Sequence, residues 1–520
     1  MNFSGGFRRL ASVTVIALAA SGATGTAVAG TPAAPGSVTQ VPGLHGCYTV
    51  DGSGSTGPGV CTNIRGGAGA TTVSISPDGR SAYLVGYGGD ADAVLSVFSR
   101  NTNTGVLTQL AGKAGCLSND GSNEGVPGVC TRVRDLDSGD AISIAISRDG
   151  RSVYVASQFE TKKHVVLGGV AVFSRSLKTG ALFQLKGKAG CVTSTGASNR
   201  GPGTCAVGRE VDLVSNLQIT PDQKYVYASN YDSQPDSGIA IFRRDSKTGA
   251  LTQLGGKEGC ITSSGLTKQS GTTKICRAMP NIGSPWDVAT AGNKFAYIPD
   301  RDDDLVQAFS RDAKGGLKPL TGLGACVSDT GDSPLGMKTC RIGRGLFDVE
   351  RAVLSANQKF IYTNSFENPS PIAVLNRNPT TGLLSERNNK SACYSLDGTG
   401  TIHDATPTCR NGRDLSGGYA GALSPDGKTL YYAENGSSVP SQGLVIFHVN
   451  EATGGFTQLA GTLGCVSPDG SSEDGAATCQ TGPAVHEAYQ VAVARGGGGV
   501  DDVYVAAFGA NGIDFFRAAP

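Results

Sequence analysis

Apolar and polar residues alternate in short runs along the whole chain, and the runs come in a fixed order. After Cys130 the chain reads Ala141–Ser147 (AISIAIS), turns at Arg148-Asp149-Gly150, and returns through Ser152–Ser157 (SVYVAS). Gly169–Arg175 (GVAVFSR) follows, then a Thr179-Gly180 turn and Ala181–Leu185 (ALFQL), which leads into Gly190-Cys191. A period of two gives each run a core face, and Asp-Gly and Thr-Gly turns join such runs into antiparallel hairpins. The pattern predicts four short strands per unit, called A to D here.

The unit recurs. Its A strands fall at 71–76, 141–147, 214–220, 286–291, 349–355, 419–424 and 489–494, which makes seven units. One small four-stranded sheet cannot bury both its faces, whereas seven arranged radially cover one another. The two ends of the chain are complementary. The last unit stops at Pro520 without a D strand, while Ser37–Cys47 (SVTQVPGLHGC) matches the D segment Leu107–Cys116 (LTQLAGKAGC) with no A to C strands before it. The expected fold is an all-β, seven-bladed propeller of four antiparallel strands per blade, its last blade completed by the N-terminal strand. That closure removes exposed sheet edges.

Each repeat also carries two cysteines. The 14 cysteines pair by proximity as Cys47–Cys61, Cys116–Cys130, Cys191–Cys205, Cys260–Cys276, Cys326–Cys340, Cys393–Cys409 and Cys465–Cys479, with separations of 14 or 16 residues. No Cys-x-x-Cys cluster of the kind zinc requires is present. One local disulfide per repeat in an oxidising compartment is expected, each worth up to about 3 kcal/mol in the chain-entropy picture. The bridged loops are D–A connections, and their length predicts a raised collar around one mouth of the channel.

Composition agrees with this picture. The 76 glycines suit many tight turns. With 44 Lys+Arg against 43 Asp+Glu there is no general pull toward nucleic acid or anionic lipid. Arg8 and Arg9, the short apolar stretch Leu10–Ala20 and Ala27-Val28-Ala29 read as a secretory signal peptide over residues 1–29. Residues 30–520 then form a single propeller domain, secreted, monomeric and without a membrane span.

The turns Ser76-Pro77-Asp78-Gly79-Arg80 and Ser424-Pro425-Asp426-Gly427-Lys428, each followed by an aromatic-bearing strand, resemble those of lactonase-like (YVTN-type) seven-bladed propellers. The resemblance spans the mature chain. It implies a fold shared by sugar lactonases, muconate-lactonising enzymes, lyases and non-catalytic binders, and fold alone does not choose among them.

Two sets of residues are candidates for chemistry. Four positions after each second cysteine stand Arg65, Arg134, Arg209, Pro280, Arg344, Arg413 and Pro483. Turned inward, the five arginines make a cationic ring for carboxylate or phosphate; turned along the blade, they tie their own loops. The second set departs from the repeat at the A strands: Asp140, Asp212, Trp286-Asp287, Asp348, Glu350-Arg351, Tyr419, His486-Glu487 and Gln490. Equivalent slots elsewhere hold Gly, Ala or Thr. Glu350, His486 and Glu487 are the candidates for proton transfer. Arg344, Arg351, Trp286, Asp287, Arg209, Arg413 and Gln490 are the candidates for ligand binding, with Trp286 either stacking on a sugar or filling core. The acidic run Asp300-Arg301-Asp302-Asp303-Asp304 reads as a solvated B–C loop. No phosphate loop, dinucleotide fingerprint, nucleophile elbow or metal ring is present, so neither cofactor nor metal is expected. The leading expectation is a binder of a small anionic molecule, with lactonase- or lyase-like action on an oxidised sugar or lactone. The alternative is a non-catalytic propeller binding glycan or protein through the same face.

Overall fold

The computed structural model describes residues 34–520 except 88–92, 137–140, 161–165, 232–236, 268–269, 271, 368, 388, 402–406 and 437–441, and the side chains of 141–142, 158–160 and 166–167. The signal segment, Asp140, His164 and His403 lie outside the described residues. Seven sheets follow one another in the order A-B-C-D, and the seventh is built from both chain ends. In it Val38–Gln40 and Cys47–Thr49 pair with the final strand Gly512–Ala518, with Val38 opposite Ala518 and Cys47 opposite Asp514. The expected closure and blade number are observed.

The D strand is more elaborate than its alternation implies. In the first blade it breaks into Leu107–Gln109 and Cys116–Ser118, separated by a single 3-10 turn at Gly112–Gly115. The two halves pair with different stretches of the same C strand, and Thr131–Arg132 adds a short parallel strand beyond the second half. Cys116 and Cys130 bridge this outer pair, and all seven disulfides form as expected from spacing. The bridged loops therefore hang from the outermost strands, at the rim of the ring. They do not form the expected collar around the channel, because the chain must cross the width of a blade before it reaches the next A strand.

Apolar side chains fill the spaces between neighbouring blades. Tyr83, Val85 and Val97 of the first blade pack with Val153, Ala171 and Phe173 of the second. The same arrangement joins the last blade to the first through Tyr504, Ala506 and Phe515 against Val73, Leu84 and Phe98. One tyrosine per B strand adds a polar stitch from each blade to the next. Tyr83, Tyr154, Tyr227, Tyr297, Tyr362, Tyr431 and Tyr504 donate to the carbonyls of Gly180, Gly249, Gly315, Gly382, Gly454, Gly36 and Gly105. Tyr431 reaches Gly36 and so fastens the sixth blade to the N-terminal segment. A buried phenol needs such an acceptor.

Candidate functional site at the channel mouth

Every A strand but the fourth carries a bulge near its start. Pairing steps from Val349–Ser365 directly to Arg351–Asn364, leaving Glu350 unpaired, and the same happens at Tyr419 and Tyr489. A bulge presents two successive residues differently from a regular pleat. The residue after it belongs to a ring of Thr72, Ser143, Asn216, Asp287, Arg351, Ala420 and Gln490, all on the wall of a channel cavity of about 340 Å3. Only Asp287 and Arg351 are charged in that ring.

Ring residues link neighbouring blades. Gln490 Oε1 accepts from the Val73 N–H at 2.9 Å, Ser143 Oγ from Leu217 at 3.1 Å, and Asp287 Oδ2 from Ala352 at 3.1 Å. Asp287 Oδ1 also accepts from its neighbour Val288. Burial raises the Asp287 pKa above the ordinary carboxylate value, and the Arg351 charge opposes that shift. Arg351 is buried, yet its Nη1 makes only two long contacts, 3.4 Å to the carbonyls of Ser215 and Trp286. Its Nε has no partner among the described residues.

Behind this ring lies a charged and aromatic layer. Arg301, from the acidic run, reaches Asp348 at 2.5 Å, Glu350 at 3.3 Å and Glu367 at 3.6 Å. Its guanidinium also lies 5.6 Å from the ring centres of both Trp286 and Phe366. The run is thus not the expected solvated loop: Asp300 is fully buried and accepts from the Ser284 N–H with both oxygens. Rings continue the layer around the mouth. Tyr231 stacks on Trp286 at 4.1 Å, Phe366 meets Tyr419 at 5.8 Å, Tyr419 meets Tyr489 at 4.1 Å, Tyr489 meets Phe508 at 5.3 Å, and Phe508 meets Tyr87 at 6.1 Å.

Tyr87, Tyr231, Arg301, Phe366 and Phe508 were not among the sequence candidates. The signal was present, since each stands four residues after its B-strand tyrosine, at Tyr83, Tyr227, Tyr297, Tyr362 and Tyr504. Arg301 is the single charged residue in that aromatic series.

The structure brings together Trp286, Asp287, Glu350, Arg351 and, farther round the ring, Gln490. Glu350 sits one residue behind the cavity wall, fully buried, and its Oε2 has no partner among the described residues. His486 is not with them. It is exposed in a separate recess of about 400 Å3, lined also by Asp51, Ser55, Pro468, Pro483 and Asn511. Glu487 holds a left-handed backbone (φ 52°) at the place where Gly69 and Gly417 stand in other blades. Asp348 does the same (φ 57°) and is anchored by Arg301. Asp212 is buried.

The repeated arginines resolve as ties between blades. Arg209 Nη2 donates to Leu254 O at 3.0 Å, and its Nη1 donates to Gly256 O at 3.0 Å and Ile275 O at 3.1 Å, all in the following blade. Arg413 donates in the same way to Leu459 and Gly461. A Cβ on Gly259 or Gly464 would lie 2.1 or 2.3 Å from the carbonyl of Leu254 or Leu459 and 2.2 or 2.5 Å from the guanidinium, so the glycine of the Gly-Cys repeat leaves room for both. Where Ala392 replaces that glycine, Arg344 instead pairs with Glu386 at 3.3 Å and donates to Arg387 O. Arg209, Arg344 and Arg413 are therefore committed at the blade rims, so of the two readings of these arginines the tie is formed and the cationic ring at the channel is not. Arg209→Ala is expected to lower stability by about 1–2 kcal/mol, the scale of a partly exposed charged hydrogen-bond set, in a urea titration, while ligand affinity is unchanged.

Burial raises several carboxyls together: Glu350 to about 8, with Arg301 opposing, and Asp514 and Glu386 to about 7. Unfolded, these groups titrate near the ordinary carboxylate values. The folded state binds more protons between those limits, so their contribution is present at pH 4–5 and is lost as pH rises to 8 and beyond. The melting temperature is expected to fall from about pH 5 to pH 8, and Glu350→Gln is expected to make that slope shallower.

No family model matches the chain, and no curated protein matches it in sequence. Among solved structures, the periplasmic gluconolactonase of Pseudomonas aeruginosa aligns at 15% identity over 74% of this chain and 83% of its own, with a TM-score of 0.45. A provisionally assigned 6-phosphogluconolactonase from Bacteroides uniformis aligns at 18% identity over 74% and 82%, with a TM-score of 0.43. One from Bacteroides fragilis aligns at 16% identity over 86% and 88%, with a TM-score of 0.44. A β-propeller domain of Myceliophthora thermophila Cps50 (Swd1), at 10% identity and a TM-score of 0.41, is also similar.

Proposed function

We propose that the protein is an exported propeller that binds a small sugar acid or sugar lactone in its channel, with Arg351 holding the carboxylate or carbonyl oxygen. The supporting observation is Arg351 itself: a buried guanidinium on the cavity wall, weakly engaged by the protein, in a ring whose other members are uncharged apart from Asp287. Buried polar groups are normally satisfied, and a planar donor fork suits a carboxylate. Tyr419 and Tyr489, packed on each other at 4.1 Å, also line the cavity and give it an apolar margin for a sugar ring. Asn216, Gln218 and Gln490 supply amides for hydroxyl groups. The seven disulfides accord with function outside the reducing cytoplasm.

Lactonase- or lyase-like turnover is the second reading, favoured by one observation. Asp287 lines the same cavity with its pKa raised by burial, as a proton-transfer group requires. Glu350 lies behind the wall and His486 in another recess, so neither reaches a ligand held by Arg351. Isothermal titration with D-glucuronate, D-glucono-1,5-lactone and D-glucose tests the binding reading: the acid or the lactone binds more tightly than glucose. Failure of both to bind refutes it. Lactone consumption above the uncatalysed rate, lost in Asp287→Asn, would establish turnover.

A further inference from the structure

We propose that the main-chain N–H groups of Gly421 and Val491, together with Arg351, form a subsite for a carboxylate or lactone carbonyl oxygen. This rests on the channel being the ligand site. A strands form the inner edge of each sheet, so alternate N–H groups turn into the channel rather than toward a B strand. The residue after each ring position is one of these. Val73, Leu217 and Ala352 show it directly, each donating to the ring residue of the preceding blade: Gln490, Ser143 and Asp287.

Gly421 and Val491 stand at the same register as Val73, opposite the residue that follows the B-strand tyrosine or its equivalent place in the pairing. The ring residues before them break the pattern. Arg351, preceding Gly421, carries donors only. Ala420, preceding Val491, carries a methyl group that cannot accept a hydrogen bond. Two successive N–H groups thus lack the ring cap, and Arg351, on the wall of the same cavity, keeps a buried Nε without a partner among the described residues. Preorganised main-chain N–H groups beside a cation are suited to an oxygen carrying full or partial negative charge. A hydroxyl-only ligand gains less from them.

Ala420→Ser tests this, because it places a hydroxyl where Ser143 already caps Leu217 and so fills the Val491 N–H from within. D-Glucuronate affinity, measured by titration calorimetry, is expected to fall about five- to tenfold, the scale of one hydrogen bond to a charged group. D-Glucose binding and the melting temperature should be unchanged, and Ala420→Gly should match the parent. In protein labelled with 15N-valine, the Val491 amide is expected to move downfield on glucuronate addition. An Ala420→Ser variant that binds glucuronate as tightly as the parent, or a Val491 amide that does not respond, overturns the subsite while the channel reading stands. If the parent protein binds neither glucuronate nor the lactone, both fall.

Discussion

Removing the chain through Gln40 is expected to destabilise the folded ring by roughly 3–5 kcal/mol, from about one kcal/mol per lost hydrogen bond and the exposure of Val38. The loss has identifiable parts. Val38 is buried against Tyr431, Val503 and Phe516. Gly36 and Ser37 exchange main-chain bonds with Ala519, and Tyr431 loses the Gly36 carbonyl. Gln40 donates to Asp514 at 2.8 Å, and without it a fully buried carboxyl keeps only main-chain donors. Denaturant unfolding of the purified truncated protein checks this. An unchanged midpoint would mean that the seventh blade holds without its N-terminal strand, and that ring closure contributes little.

Arg351→Ala is expected to weaken binding of a sugar acid by about ten- to a hundredfold, from the usual worth of a charged hydrogen bond. The hydrogen-bond cost to the fold is small, since among the described residues the guanidinium makes two 3.4 Å carbonyl contacts besides lying 5.9 Å from the Trp286 ring centre. Removing it also takes away the charge that opposes ionisation of Asp287, so that carboxyl should titrate still higher. Calorimetric titration and a melting curve separate the two effects. Lost affinity with an unchanged midpoint marks a ligand anchor, and lost stability with unchanged affinity marks a packing residue.

The fold was legible in the chain because its signals are local and repeated. Alternation set the strands, Asp-Gly and Thr-Gly turns set the hairpins, cysteine spacing set the disulfides, and the unmatched Ser37–Cys47 segment announced closure. The placement of the bridged loops was not legible, since it depends on the D strand breaking at a 3-10 turn and on a parallel strand only two residues long. Neither has a periodic signature.

The site was half legible. Departures from the repeat led to Trp286, Asp287, Glu350, Arg351 and Gln490. Sequence spacing could not say that a bulge turns Arg351 into the channel and leaves Glu350 behind it. Nor could it say that the chain before the seventh A strand carries His486 into a different recess. Arg301 was hidden by its company: an arginine among four aspartates reads as a solvated loop, and only the aromatic series at its register gives it away. The repeated arginines left two readings open, and the structure selects the tie. Their regularity came from the need to tie blade to blade, with a glycine kept opposite each guanidinium wherever the full clamp forms.

The central claim is that the channel wall at Arg351 holds an oxygen-rich ligand. A crystal structure of the protein soaked with D-glucuronate tests it most directly. The expected result is the carboxylate within hydrogen-bonding distance of Arg351, facing the Gly421 and Val491 N–H groups, with the sugar ring against Tyr419 or Tyr489. Glucuronate bound in the His486 recess, or a channel with no ligand at saturating concentration, would contradict the account.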